Sequence, residues 1–184
     1  MALNTEARRV HELARHLAER RRTTLASAVD TSALVAALSG GSESHRVTVA
    51  LAASAASITS AANYLECSIV LASRCGDDGV HDLRLYLPEA GVGIVPVDRD
   101  QADLALDAWM RYGKGRHPAA LHDGGCFACA LASLRRTRLL FVGEDFARTD
   151  VAAAERTRGA GREHPHPRPS MRTCAPSSFD HQCP

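Results

Sequence analysis

A chain of 184 residues with 22 Lys+Arg, 21 Asp+Glu and a formal net charge of +1 has the length of one ordinary domain with extensions. The near-neutral balance excludes a protein that coats nucleic acid by bulk electrostatics, while leaving room for a local basic patch. At 45% hydrophobic and 4% aromatic the chain can bury a core, built mainly from Ala, Leu and Val. All the cations but Lys114 are Arg, which together with the abundance of Ala reads as coding bias and not as chemistry.

Residues 1–28 read as a basic amphipathic helix, with Val10, Leu13, Ala14 and Leu17 at helical spacing and six Arg against three Glu. No apolar stretch follows Arg8, Arg9 and Arg20 to Arg22, so the expected compartment is the cytoplasm. The longest apolar run, Val47 to Ala56, is broken by Thr and Ser and falls short of the ~20 residues a membrane span needs. Residues 29–151 alternate helical patterns with short apolar runs. Val29-Asp30 ends a short strand, and Thr31 to Leu38 starts a helix with Thr31 or Ser32 as its cap. Ser44 to Ala53 and Ser60 to Arg74 continue the helical pattern, Gly76 to Gly79 forms a turn, and Val80 to Glu89 is helical as far as Pro88. Gly93 to Val97 contains a proline and so predicts a short or edge strand. Asp100 to Tyr112 and Gly124 to Leu134 are helical, separated by a flexible basic loop from Gly113 to Pro118, and Arg138 to Val142 is a buried strand. Strands alternating with helices predict an α/β domain, a small parallel sheet flanked by helices.

Residues 152–184 hold five of the eight prolines and no periodicity, which predicts a disordered tail. The six cysteines show no framework spacing. Cys126 and Cys129 form a Cys-x-x-Cys inside an apolar helical run, where small buried hydrophobes fit better than a redox or zinc pair. Cys174, His181 and Cys183 offer three ligands without a repeat, too few for a zinc site.

In a parallel α/β sheet, ligands bind outside the carboxyl ends of the strands. Asp30 closes the first strand and Asp145 follows the last, so both project toward one edge, and Glu66 lies about one turn into its helix. Clustered carboxylates repel unless a cation such as Mg²⁺ or Mn²⁺ neutralises them, and such an ion can activate water against a phosphodiester. Taken singly, each acid has a plainer role. Asp30 would serve as a helix cap, Glu66 as an exposed helix charge, and Asp145 as a cap for the turn at Phe146.

Val29-Asp30-Thr31-Ser32-Ala33-Leu34 and Ser60-Ala61-Ala62-Asn63-Tyr64-Leu65-Glu66 resemble the opening motifs of PIN-domain proteins. Tyr112 to Leu121 and Leu140 to Asp150 resemble the VapC toxins within that group, and the similarity runs in order from residue 29 to about 151. The resemblance implies a Mg²⁺- or Mn²⁺-dependent endoribonuclease, the toxin of a type II toxin–antitoxin pair, forming a homodimer and binding a VapB-type antitoxin. It implies that Asp30, Glu66 and Asp145 are three of four catalytic, metal-binding acids.

The third acid of the pattern is missing. The family usually reads Asn-Phe-Gly-Asp-Cys-Phe-Ala where this chain has His122-Asp123-Gly124-Gly125-Cys126-Phe127-Ala128, which puts Gly125 at the acid's place. Asp123, two residues earlier, either caps the helix or supplies the lost metal ligand through water. Without it the chain is a weakened enzyme, or a PIN scaffold that binds an antitoxin or RNA. An RNA substrate also needs cations, and Arg111, Lys114 and Arg116 are the expected phosphate contacts. Arg135, Arg136 and Arg138 read instead as a solvated helix end. Residues 1–29 resemble the start of a VapB-type antitoxin, which implies a DNA-binding arm and a third reading, a regulator acting through residues 1–28.

Overall fold

A computed structural model of the chain describes residues 26–154. Nearly all of the basic helix expected over residues 1–28, and all but the first residues of the proline-rich tail, lie outside the described residues; Ser27 and Ala28, at the end of that expected helix, belong instead to a strand. Four short strands, β1 (Ser27–Val29), β2 (Ser57–Ser60), β3 (Val92–Val95) and β4 (Arg138–Leu140), form one parallel sheet in the order β3-β2-β1-β4. Around it lie α1 (Thr31–Ser39), α2 (Ser42–Ala53), α3 (Ala61–Glu89), α4 (Arg99–Tyr112) and α5 (Asp123–Arg135), followed by a 3₁₀ turn at Asp145–Arg148. This is the expected α/β architecture.

The alternation of a strand explains the two cores. In β1 Ala28 pairs with Leu139 of β4, and Val29 with Leu140. Ala28 and Leu139 face α4 and α5, where Leu121, Leu131 and Phe146 are buried. Val29 and Leu140 face α1, α2 and α3, against Leu34, Val47, Leu71 and Leu83. Two buried faces suit a parallel sheet covered by helices on both sides.

The strand reversal lies between β1 and β4, because β2 and β3 extend to one side of β1 and β4 returns to the other. There the Asp30 N–H donates to Leu140 O at 3.0 Å, and the residues that leave both strands meet at one edge.

The sequence does not announce β2. Ser-Ile-Thr-Ser has three hydroxyls in four residues, yet Ser57, Thr59 and Ser60 are buried. Thr59 Oγ1 donates to Val29 O at 2.9 Å, and Ser60 Oγ takes the Ala62 N–H at 3.2 Å as the cap of α3. These bonds offset the desolvation of Thr59 and Ser60, whereas the buried Ser57 hydroxyl has no partner among the described residues. Strand β3 is the expected edge strand and stops at Val95, before Pro96. The cap of α1 is Asp30 itself, not Thr31 or Ser32.

The turn expected at Gly76 to Gly79 is smaller than that. Only Gly76 leaves helical geometry, at φ 63° and ψ −153°, and the helix resumes at once so that Leu83 and Leu87 reach the core that holds Cys67 and Leu71. The loop after α4, expected to be flexible, is closed by bonds from Lys114 N to Leu121 O and from Leu121 N to Tyr112 O, each 2.9 Å. Arg116 stacks over the Trp109 ring at 4.4 Å. Among the described residues no helix is long and apolar enough to cross a membrane.

Gly76 occupies a backbone region that side-chain-bearing residues reach only under strain. Gly76→Ala is therefore expected to lower stability by about 1–3 kcal/mol in urea unfolding, although nothing lies near enough to clash with the added methyl. An unchanged midpoint would show that the break is not fixed by its glycine.

Candidate active site

Asp30 caps α1 and is 5% exposed. Its Oδ2 accepts from Ser32 N at 2.9 Å and from Ser32 Oγ at 2.6 Å, and Ser32 Oγ in turn accepts from Val142 N at 3.1 Å. The chain of bonds ties the first acid to the end of β4. Its Oδ1 meets Asn63 Nδ2 at 3.4 Å.

Asn63, in the first turn of α3, is completely buried. Its amide nitrogen also reaches Thr31 Oγ1 at 3.2 Å and Gly124 O at 2.9 Å. One side chain thus fastens the starts of α1, α3 and α5 together. Three residues further along α3, Glu66 accepts from Thr31 Oγ1 at 2.6 Å through Oε2, and its Oε1 lies 3.3 Å from His122 Nδ1. The carboxylate packs on the bare Cα of Gly124, where any side chain would run into it.

Asp30 and Glu66 therefore converge on a cleft of about 420 Å³ at the strand reversal, which Asp145, His122 and Gly125 also line. Burial is the main force that raises the Asp30 pKa, opposed by the Ser32 bonds and reinforced by the charge of Glu66. Among the described residues no Lys or Arg pairs with either carboxylate.

The other expected site residues are scattered. Asp145 opens the 3₁₀ turn, is exposed and lines the cleft. Asp123 is exposed in the first turn of α5 and stays outside the cleft, and it is not the cap, since that position belongs to His122. Arg111 lines a separate small groove with Asp107, Tyr112 and Asp150. Lys114 and Arg116 lie in the closed loop whose far end, Leu121, forms part of the cleft wall. Sequence reasoning missed Asn63 as a tether, His122 beside Glu66, and Arg74, among the described residues the one Lys or Arg that lines the cleft. The spacing of Glu66 and Arg74, eight residues apart on one helix, was the available signal for the last.

Cys126 and Cys129 are buried and unbridged, their thiols pushed up by burial to about 11 and about 12. Such thiols are inert packing groups at neutral pH. Among the described residues no three His, Cys, Asp or Glu stand close enough to form a ready metal cage.

The chain matches the PIN domain family over residues 28–152. It is 49% identical over 125 residues to the Ribonuclease VapC of Mycolicibacterium smegmatis, spanning 68% of this chain and 97% of that protein. The chain belongs to the PIN-domain VapC family. Ribonuclease VapC30 of Mycobacterium tuberculosis is 46% identical over 124 residues, 67% of this chain and 95% of that one. Among solved structures, the fold resembles Mycobacterium tuberculosis VapC20, a sarcin–ricin-loop-cleaving toxin, with a TM-score of 0.57 at 16% identity over 68% of this chain and 96% of that one. A toxin–antitoxin complex from Klebsiella pneumoniae matches with a TM-score of 0.54 at 20% identity, over 71% and 99%. PIN-domain VapC nucleases as a family depend on divalent metal, and in this VapC chain two buried or half-buried carboxylates face one cleft with no cation beside them.

That arrangement has a thermodynamic signature. The Asp30 pKa is higher folded than unfolded, so its contribution is fully present below the ordinary value of 3.8 and is lost as pH rises through the folded value. Asp30→Asn keeps an acceptor for Ser32 and removes the charge. In metal-free buffer it is expected to be more stable than wild type by about 1–3 kcal/mol at pH 7, with the gap closing toward pH 4 in urea melts. A variant less stable at neutral pH would contradict an uncompensated buried charge.

Proposed function

We propose that this chain is a metal-dependent endoribonuclease toxin of a type II toxin–antitoxin system, weakened by Gly125. The observation that carries the reading is the convergence of Asp30 and Glu66 over the first turn of α5 at the strand reversal, in a chain of the VapC family. Residues 29–151 form the functional body, flanked by the basic segment 1–28 and the tail 152–184.

The residues present fit a hydrated divalent ion. Mg²⁺ keeps several waters and is commonly held by one or two carboxylates together with substrate phosphates. Asp30 and Glu66 would hold it, with Asp145 further along the cleft. When bound, Mg²⁺ or Mn²⁺ neutralises phosphoryl charge and activates water for attack on phosphorus. The protein's own part is positional. Ser32 and Asn63 fix the Asp30 carboxylate, and Thr31 and Gly124 fix that of Glu66. Asp123, outside the cleft, would act only through water. Lys114 and Arg116, on the loop that ends at the cleft wall, would make outer phosphate contacts, and Arg111 more distant ones.

Gly125 is the weak point. A Cβ built there would stand 3.3 Å from Leu121 Cδ2 and 3.5 Å from Phe146 Cζ, so an aspartate fits with a small adjustment of Leu121. Gly125→Asp is expected to raise cleavage of structured RNA by about 10–100-fold in Mg²⁺ or Mn²⁺, the range that loss of support around a metal commonly costs. Glu66→Gln should abolish cleavage in both backgrounds. Strong wild-type cleavage that survives Glu66→Gln would overturn the assignment of the site. Independently of activity, Mg²⁺ should raise the melting temperature of wild type more than that of Asp30→Asn, and equal shifts would remove Asp30 from the metal site.

The absence of the third acid favours a second reading, a scaffold that binds RNA or an antitoxin without turnover. A VapB-type antitoxin and a second copy of the chain are the proposed partners, and the cytoplasm the proposed compartment. The fold is shared with a chain of a toxin–antitoxin complex, which supports the first partner. Inactive wild type that still co-purifies with a neighbouring antitoxin would establish the scaffold reading. The DNA-binding reading rests on residues 1–28, nearly all outside the described residues.

A further inference from the structure

The cleft does not end at the acids. Helices α1 and α3 leave the carboxyl ends of the adjacent parallel strands β1 and β2 and run outward side by side. Their facing residues step in fours. Thr31, Val35 and Ser39 line the cleft from α1, and Glu66, Val70 and Arg74 line it from α3. At 1.5 Å per residue, Arg74 stands ~12 Å along the helix from Glu66. Leu121 and His122, which sit beside Glu66, wall the other end.

Arg74 is exposed, and among the described residues no hydrogen bond or ion pair holds its guanidinium. The Ser39 hydroxyl opposite is already committed to Val35 O at 2.7 Å. Between the acids and Arg74 the walls are apolar, through Val35, Ala36 and Val70. The cleft is thus a track with a carboxylate pair, an apolar stretch and then an unpaired guanidinium.

We propose that the Arg74 end of the cleft is a second phosphate subsite, which takes the phosphodiester of a single-stranded RNA segment flanking the one placed at Asp30 and Glu66. This rests on the ribonuclease reading. A guanidinium offers a planar fork of donors matched to phosphate oxygens. Its backbone stands two turns beyond Glu66, past Val70, which places the guanidinium for a neighbouring phosphate on the same strand. The apolar stretch between accommodates a base or ribose without demanding a sequence. Arg74 is a positioning residue. It sets where along the RNA the cut falls and does not touch the reacting atoms.

The test is the salt dependence of binding. A fluorescein-labelled single-stranded RNA decamer is titrated with the full chain in Ca²⁺ buffer by anisotropy, with a denaturing gel confirming that the RNA stays intact. One phosphate contact to a single strand contributes about 0.7 to the slope of log K against log salt. Between 50 and 200 mM salt, wild type and Arg74→Lys are each expected to lose about 2.5-fold more affinity than Arg74→Gln. Melting temperatures should agree among the three, since the side chain is exposed and no hydrogen bond or ion pair among the described residues holds it. Equal slopes for wild type and Arg74→Gln would overturn the subsite while leaving the ribonuclease reading intact. Wild type that binds no RNA at any salt would overturn that reading, and the subsite with it.

Discussion

A buried amide determines where the acids stand. Asn63 has no exposed surface, and its nitrogen is shared among Asp30, Thr31 and the Gly124 carbonyl. Those partners belong to two segments far apart in the chain, the junction of β1 with α1 and the first turn of α5, which the amide joins to the start of α3. A buried donor stripped of its acceptors costs about 1–3 kcal/mol, so the three segments are held in one arrangement and not merely near one another. The amide oxygen has no partner, so the nitrogen side alone carries the tether. Glu66 follows on the same helix one turn later, and its distance from Asp30 is inherited from that tether.

The same packing creates an electrostatic cost that the fold does not relieve. Asp30 is desolvated and faces a second carboxylate, and its compensation comes first from the short bonds of Ser32, with lesser help from Asn63 and from His122. In a protein selected for stability alone, an Arg or Lys in the cleft wall would pair with these acids. Among the described residues the one Arg that lines the cleft is set two turns down α3 and makes no ion pair with either acid. Strain of this kind, kept at a concave edge of the sheet and left unpaired, is how sites for external cations and anionic ligands are ordinarily built.

The sequence carries the strands β1, β3 and β4 and all five helices because apolar periodicity and turn residues mark them. It does not carry β2, where the physical support for the Thr59 and Ser60 hydroxyls comes from partners remote in the chain, Val29 O and Gln101. Periodicity sees only what a residue is, whereas a buried serine is licensed by what it meets. The acids divide in the same way. Asp30, Glu66 and Asp145 stand at strand ends or one turn into a helix and share the cleft, while Asp123, at the start of α5, is exposed and does not line it. The basic loop failed as a guide to the cleft for a related reason. Arg116 is engaged by Trp109 and Arg111 belongs to another groove, so a cluster of charge in sequence did not become a cluster in space.

The neighbouring glycines at the start of α5 show why one replacement matters and another residue cannot change. At Gly124 the missing side chain is a requirement, because the Glu66 carboxylate occupies the space where a Cβ would be. At Gly125 nothing of the kind applies. The backbone is ordinary helix, the nearest neighbours are the yielding ends of Leu121 and Phe146, and the position opens on the cleft. A glycine there gains no contact and lowers helix propensity by about 1 kcal/mol relative to Ala. No packing constraint selects it, so the fold tolerates Gly125 but does not need it. Asn63, Gly124 and Glu66 are locked together by what they meet, whereas Gly125 adds nothing to that geometry and is free to carry a side chain into the cleft.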